Sequence, residues 1–158
     1  MLSTQEYDLL VLSPGPGRPE DFGIAKTIDT ALARKLPVFG VCLGVQAIGE
    51  YFGGQLGQLG QPAHGRPSRV QVRGGRLMQN LPNEIVIGRY HSLFVERDSV
   101  PDMLQVTATT EDGVAMAIEH KTLPVGGVQF HPESLMSLGD EVGLRIVENA
   151  FRLSVPVN

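Results

Sequence analysis

The rhythm of apolar and polar positions changes along this chain, and each rhythm predicts a different element. Residues 7–12, Tyr-Asp-Leu-Leu-Val-Leu, form a short apolar run without strict alternation, as expected of a strand covered on both faces in a parallel sheet. The run stops at Ser13-Pro14-Gly15-Pro16-Gly17-Arg18-Pro19, where proline and glycine exclude regular structure. Asp21 is placed to cap a helix with Ile24, Ile28, Ala31 and Leu32 at helical spacing. Pro37 ends that unit. Residues 38–41 predict the next strand, and residues 43–52 a helix closed by Gly53-Gly54. Strand, loop, helix, strand, helix is the order of an α/β fold with a parallel sheet.

Beyond residue 54 the pattern shortens. Residues 55–65 repeat Gly and Gln and predict a loop or a short strand. Strands are expected at 69–72, 85–90, 104–109, 115–119 and 127–130, with turns such as Arg73-Gly74-Gly75 and Glu111-Asp112-Gly113 between some of them. A last helix spans about 140–153, with Val142, Ile146, Val147, Ala150 and Phe151 as its buried stripe. No linker interrupts the chain, so residues 1–158 are read as one domain.

Composition narrows the class. With 158 residues, 42% of them hydrophobic and 19% charged, the chain can build a real core. Its net charge of −4 and its lack of any Lys/Arg cluster argue against a nucleic-acid surface. The series Arg66, Arg69, Arg73 and Arg76 reads as a solvated strand face. No apolar run is long enough for a membrane span, and residues 1–8 lack the plan of a signal peptide. One cysteine excludes an internal disulfide and suits a reducing compartment. Together these features predict a cytoplasmic protein.

That cysteine, Cys42, is the candidate centre of the chemistry. It stands between the strand 38–41 and the helix that begins at Leu43, with Gly40 and Gly44 two residues to either side. This is the layout of a nucleophile elbow, a tight strand–turn–helix. A helix N-terminus favours a thiolate, so a lowered thiol pKa is expected. A free cysteine also packs well as a small buried hydrophobe, and the flanking glycines are what set Cys42 apart. A thiol nucleophile needs a base. Of His64, His91, His120 and His131, the last follows an apolar run and precedes Pro132-Glu133, so a carboxylate could orient its ring. His120, between Glu119 and Lys121, reads as a surface residue, and His64 lies in a polar loop. One cysteine and dispersed histidines offer no ligand pair at the short spacing of a zinc site, so neither metal nor cofactor is expected.

Three segments in the right order, Ser13-Pro14-Gly15-Pro16-Gly17, Gly40-Val41-Cys42-Leu43-Gly44-Val45-Gln46 and Gly127-Val128-Gln129-Phe130-His131-Pro132-Glu133-Ser134, resemble the class I (triad) glutamine amidotransferases. The Pro-Gly-Pro-Gly loop and Arg89-Tyr90-His91-Ser92-Leu93 are similar to the subgroup that serves chorismate-utilising enzymes, notably the amidotransferase part of anthranilate synthase in its fused form. The resemblance implies a flavodoxin-like α/β fold with a mostly parallel sheet flanked by helices. It implies Cys42 as nucleophile, His131 as acid–base and Glu133 as its orienter. Gly15, Pro16 and Gly17 would approach L-glutamine by backbone, with the amides of Gly15 and Leu43 as oxyanion donors. Gln46, Ser92 and Leu93 would hold its α-amino acid end. The partner implied is a chorismate-utilising synthase, separate or fused to this chain, that takes the ammonia.

Two departures stand out. Position 45 is Val where many relatives carry His. Members of the family also open with a strand–helix–strand unit before the strand at 9–12, whereas here only residues 1–6 precede it. The domain is therefore expected to be incomplete at its start, with an open sheet edge that invites self-association. Service to 4-amino-4-deoxychorismate synthase, or a fragment that keeps the triad but cannot bind glutamine, are the alternative readings.

Overall fold

The computed structural model describes residues 6–134, 137 and 139–154. Residues 1–5, part of the segment read as lacking a targeting plan, lie outside the described residues. Among the described residues the strands are β1 (Leu10–Leu12), β2 (Val38–Val41), β3 (Leu56–Gln58), β4 (Arg66–Val72), β5 (Glu84–Arg89), β6 (Leu93–Val95), β7 (Leu104–Thr110), β8 (Ala115–His120) and β9 (Val125–Val128). The α-helices are α1 (Ile24–Ala33), α2 (Leu43–Tyr51) and α3 (Val142–Phe151). None is long and apolar enough to cross a membrane.

The chain is α/β, as expected. Seven strands form one sheet in the order β1-β2-β9-β8-β7-β4-β5, and β3 pairs with β6 in a separate ribbon. The parallel part is β1-β2-β9, with Leu10 opposite Val38 and Val38 opposite Val125. The sheet continues from β9 through β8, β7 and β4 to β5 by antiparallel pairs. Short turns join β7 to β8 and β8 to β9, and such connections can only return the chain antiparallel. The sheet is thus more mixed than its opening rhythm suggested.

Alternation along β2 sets the layers. Val38 packs with Ile28, Ala31 and Ile48 under α1 and α2. Phe39 and Val41, one residue out of phase, pack with Ile146 and Ala150 of α3 on the opposite face. The predicted stripe of α3 is divided by this arrangement. Val142, Ile146 and Ala150 are buried, but Val147 and Phe151 are 39% and 59% exposed. Asp21 does not cap α1. Its carboxylate accepts the Arg18 backbone N–H at 2.8 Å within a 3-10 turn, and left-handed Gly23 enters the helix instead.

Two surface readings are corrected by the core. His120 is buried because β8 is covered along its whole length. Its Nδ1 accepts the backbone N–H groups of Thr122 and Leu123 at 3.1 and 2.9 Å, closing the turn to β9. Arg76 leaves the solvated Arg series. Its guanidinium donates to the carbonyls of His120, Leu123 and Leu153 and lies beside Glu119, which is 0% exposed. That carboxylate also accepts the backbone N–H groups of Arg76 and Leu77 at 2.9 and 2.7 Å, the partners a buried charge requires.

Candidate active site

Cys42 has φ 53° and ψ −103°, a positive φ that is strained for any residue bearing a Cβ. The glycines around it permit the conformation. A Cβ at Gly40 would fall 2.6 Å from the Val45 backbone nitrogen, and one at Gly44 would overlap the Leu12 carbonyl. Strands β1 and β2 and helix α2 therefore meet backbone to backbone, and Cys42 is turned out at the carboxyl end of the parallel strands. That is where ligands bind in open α/β sheets. The Cys42 N–H donates to the Val128 carbonyl at 2.8 Å, which ties the elbow to the end of β9. His131 follows three residues later, so one backbone bond brings the two chemical segments to the same edge.

The His131–Glu133 pair forms as the sequence indicated, with Nδ1 2.7 Å from Glu133 Oε1. A carboxylate can only accept, so Nδ1 carries the proton and Nε2 is left as the acceptor. The Tyr90 ring meets the imidazole edge to face at 5.6 Å. Cys42, His131 and Glu133 share an open cavity of about 640 Å³ with Gly15, Pro16 and His64. A smaller recess of about 160 Å³ also opens on Cys42 and is lined by Gly15, Pro16, Gly17, Gln46, Ser92 and Leu93. Leu43 lines neither space, but its backbone N–H bonds to the Cys42 sulfur. The structure thus gathers Gly15, Pro16, Gly17, Leu43, Gln46, Ser92 and Leu93 around one thiol, although they come from distant segments.

The expected lowering of the thiol pKa is overturned. Burial pushes the Cys42 thiol above its ordinary value, and the Glu133 charge adds to this. The Leu43 N–H and the Gln129 side chain oppose it without prevailing. Cys42 is only 8% exposed, and withdrawal from water disfavours the anion more than one helix end favours it. This environment favours the thiol form of Cys42 over the thiolate.

Sequence reasoning did not pick out three residues that line the cavity or touch the thiol. His64 sits in a loop without periodicity and gave no signal. Tyr90 and Gln129 lie inside quoted motifs, but only the fold shows what they touch. His91 is 5% exposed, and burial lowers its pKa to about 4. Among the described residues no cluster of His, Cys, Asp or Glu could hold a metal ion.

Fold and site define a class: an α/β protein that presents a strained cysteine at a strand–helix elbow, facing one cavity with a carboxylate-held histidine. The family model for class-I glutamine amidotransferases matches residues 2–151, and the chain belongs to that family. It is 55% identical over 150 residues to an anthranilate synthase of Azospirillum brasilense, spanning 95% of this chain but 20% of that protein. It is 45% identical over 141 residues to an anthranilate synthase component 2 of Cyanophora paradoxa, spanning 89% of this chain and 73% of that one. A solved structure from Thermoplasma acidophilum, assigned to a GMP synthase, superposes with a TM-score of 0.80 at 25% identity over 93% of this chain and 72% of its own.

Proposed function

We propose that this chain is the glutaminase module of anthranilate synthase. It would hydrolyse L-glutamine through a cysteine thioester and pass the ammonia to a chorismate-utilising synthase partner or fused domain. The observation that carries the reading is the strained Cys42 opening on the same cavity as the His131–Glu133 pair. The anthranilate synthase relatives support the choice of partner. A catalytic thiol needs a reducing compartment, consistent with the cytoplasm.

Gln46, Ser92 and Leu93 seat the α-amino acid end of glutamine in the small recess, leaving its side-chain amide over Cys42. His131 Nε2 takes the thiol proton as the sulfur attacks the amide carbon, so the anion never has to persist in its buried setting. The N–H groups of Leu43 and Gly15 stabilise the oxyanion. The carbon–nitrogen bond breaks and His131 returns its proton to the leaving ammonia. Water then gives a proton to His131 and attacks the thioester carbon. Glutamate leaves, and the proton returns to the sulfur. Glu133 stabilises the imidazolium of each half-reaction.

The test is a reconstitution with the synthase component of anthranilate synthase, chorismate and glutamine. Anthranilate formation that depends on this chain supports the proposal. Aminodeoxychorismate formation with the corresponding folate-pathway synthase alone would move the partner to the alternative reading. Failure with both, while free ammonia still supports the synthases, would overturn it.

A further inference from the structure

We propose that Gln129 is a positioning residue that holds the Cys42 sulfur from within the core and links it to the recess read as the glutamine site. The proposal rests on the reading of Cys42 as nucleophile. Gln129 is 1% exposed, and its backbone N–H donates to the Met116 carbonyl at 2.9 Å, so it is anchored to β8. Its Nε2 lies 3.6 Å from Cys42 Sγ, and its Oε1 accepts from Gln46 Nε2 at 3.2 Å.

The direction of this relay is set by a group that cannot be reversed. Gln46 Nε2 also donates to the Leu93 backbone carbonyl at 3.0 Å, and a carbonyl oxygen only accepts. The Gln46 amide is therefore fixed. Its nitrogen faces Gln129 Oε1, and Gln129 must turn its own N–H toward the sulfur. The Leu93 carbonyl is gripped from the other side by His91 Nδ1 at 2.8 Å, which makes that nitrogen a donor. His91 Nε2 is then an acceptor and receives the Arg89 Nε–H at 3.3 Å. Arg89 is held in turn by Asp112 at 3.1 Å. An unbroken chain runs from Asp112 through Arg89, His91, the Leu93 carbonyl, Gln46 and Gln129 to the sulfur.

A buried amide serving only as packing could as well be apolar. This one spends its oxygen on a residue lining the recess and its nitrogen on the nucleophile. The bond to sulfur strengthens as the sulfur gains charge. Gln129 therefore favours the thiolate that burial disfavours, and aims the sulfur while His131 removes its proton.

The test measures Cys42 alkylation by iodoacetamide against pH in the wild type and in Gln129→Met and Gln129→Glu. The first variant keeps the length without the donor, and the second keeps the shape and puts a carboxylate beside the sulfur. The expected result is an upward shift of the alkylation midpoint by about one pH unit in Gln129→Met, tenfold less thiolate at a given lower pH, and a larger shift in Gln129→Glu. Glutaminase kcat should fall about tenfold in Gln129→Met, with KM changed less than about twofold. An unchanged midpoint in a folded Gln129→Met protein overturns the proposal. Where neither variant folds, the wild type decides. The Gln129 side-chain amide resonances should titrate with the midpoint of Cys42 alkylation, and flat resonances overturn the proposal equally. Alkylation needs no glutamine, so the two readings fail separately. A wild type that titrates as expected but never hydrolyses glutamine removes the functional reading and leaves the relay standing.

Discussion

At Cys42 a local sequence signal and a long-range environment disagree, and the environment sets the acidity. Gly40, Cys42 and Gly44 made the elbow legible, because the constraint lies within five residues. The raised thiol was not legible, since it arises from burial by segments far away in sequence. Cys42→Ala should abolish glutamine hydrolysis and leave the thermal midpoint within about 3 °C, since the change is small and local; a near-normal rate in the variant would refute the nucleophile. His131→Ala should lower kcat at least about tenfold more than Glu133→Gln, because an orienting carboxylate contributes less than the base it holds. If His91→Ala damaged the chemistry far more than His131→Ala, the wrong histidine has been chosen. His91 also makes a pH prediction. Its pKa falls from 6.5 to about 4 on folding, so between those values the unfolded chain binds the extra proton. Stability is then fully present above about pH 6.5 and is lost as the pH falls toward 4, by up to about 3 kcal/mol. Denaturant melts at pH 7 and pH 4.5 should show that loss in the wild type and a smaller one in His91→Gln.

At the scale of elements, the parallel part was readable because β1 and β2 are buried apolar runs bounded by strong breakers. Strand β6 escaped notice. It has three residues and, among the described residues, pairs only with β3, apart from the main sheet, so its existence depends on a tertiary contact. His120 misled for a related reason. Charged neighbours suggested a surface, yet β8 is covered on both faces and its Glu119 is neutralised by groups more than 40 residues distant. The elbow gives a direct test of backbone contact. Gly40→Ala must displace the backbone of Gly44 and Val45 and should cost about 3 kcal/mol or more, the upper range for overpacking. Gly60→Ala meets nothing within 4 Å and should stay within about 0.5 kcal/mol. Equal melting temperatures for the two variants would show that the close approach does not constrain the fold.

Across the whole molecule, the site adjoins an apolar surface that no other described residue covers, and the two share Pro14 and Glu133. Among the described residues strand β1 pairs only with β2. Beside it Val11, Phe39, Val41, Leu144, Val147 and Phe151 line a groove of about 530 Å³. Val11 and Phe151 are 52% and 59% exposed, and a sheet edge next to an apolar surface favours association. The stripe on α3 was legible as apolar, but the sequence did not say that half of it stays uncovered. Sedimentation velocity should show self-association that weakens in Phe151→Lys. A monomer at all concentrations would show that the groove is tolerated in water. The central claim concerns the neighbouring cavity, which Cys42 and the His131–Glu133 pair share. The most direct measurement of it is the intact mass of the protein after incubation with a diazoketone analogue of glutamine, followed by peptide mapping. The account predicts one adduct, on Cys42, that forms much more slowly in His131→Ala and is blocked by excess glutamine. No adduct in the folded protein, or one that glutamine does not block, would contradict it.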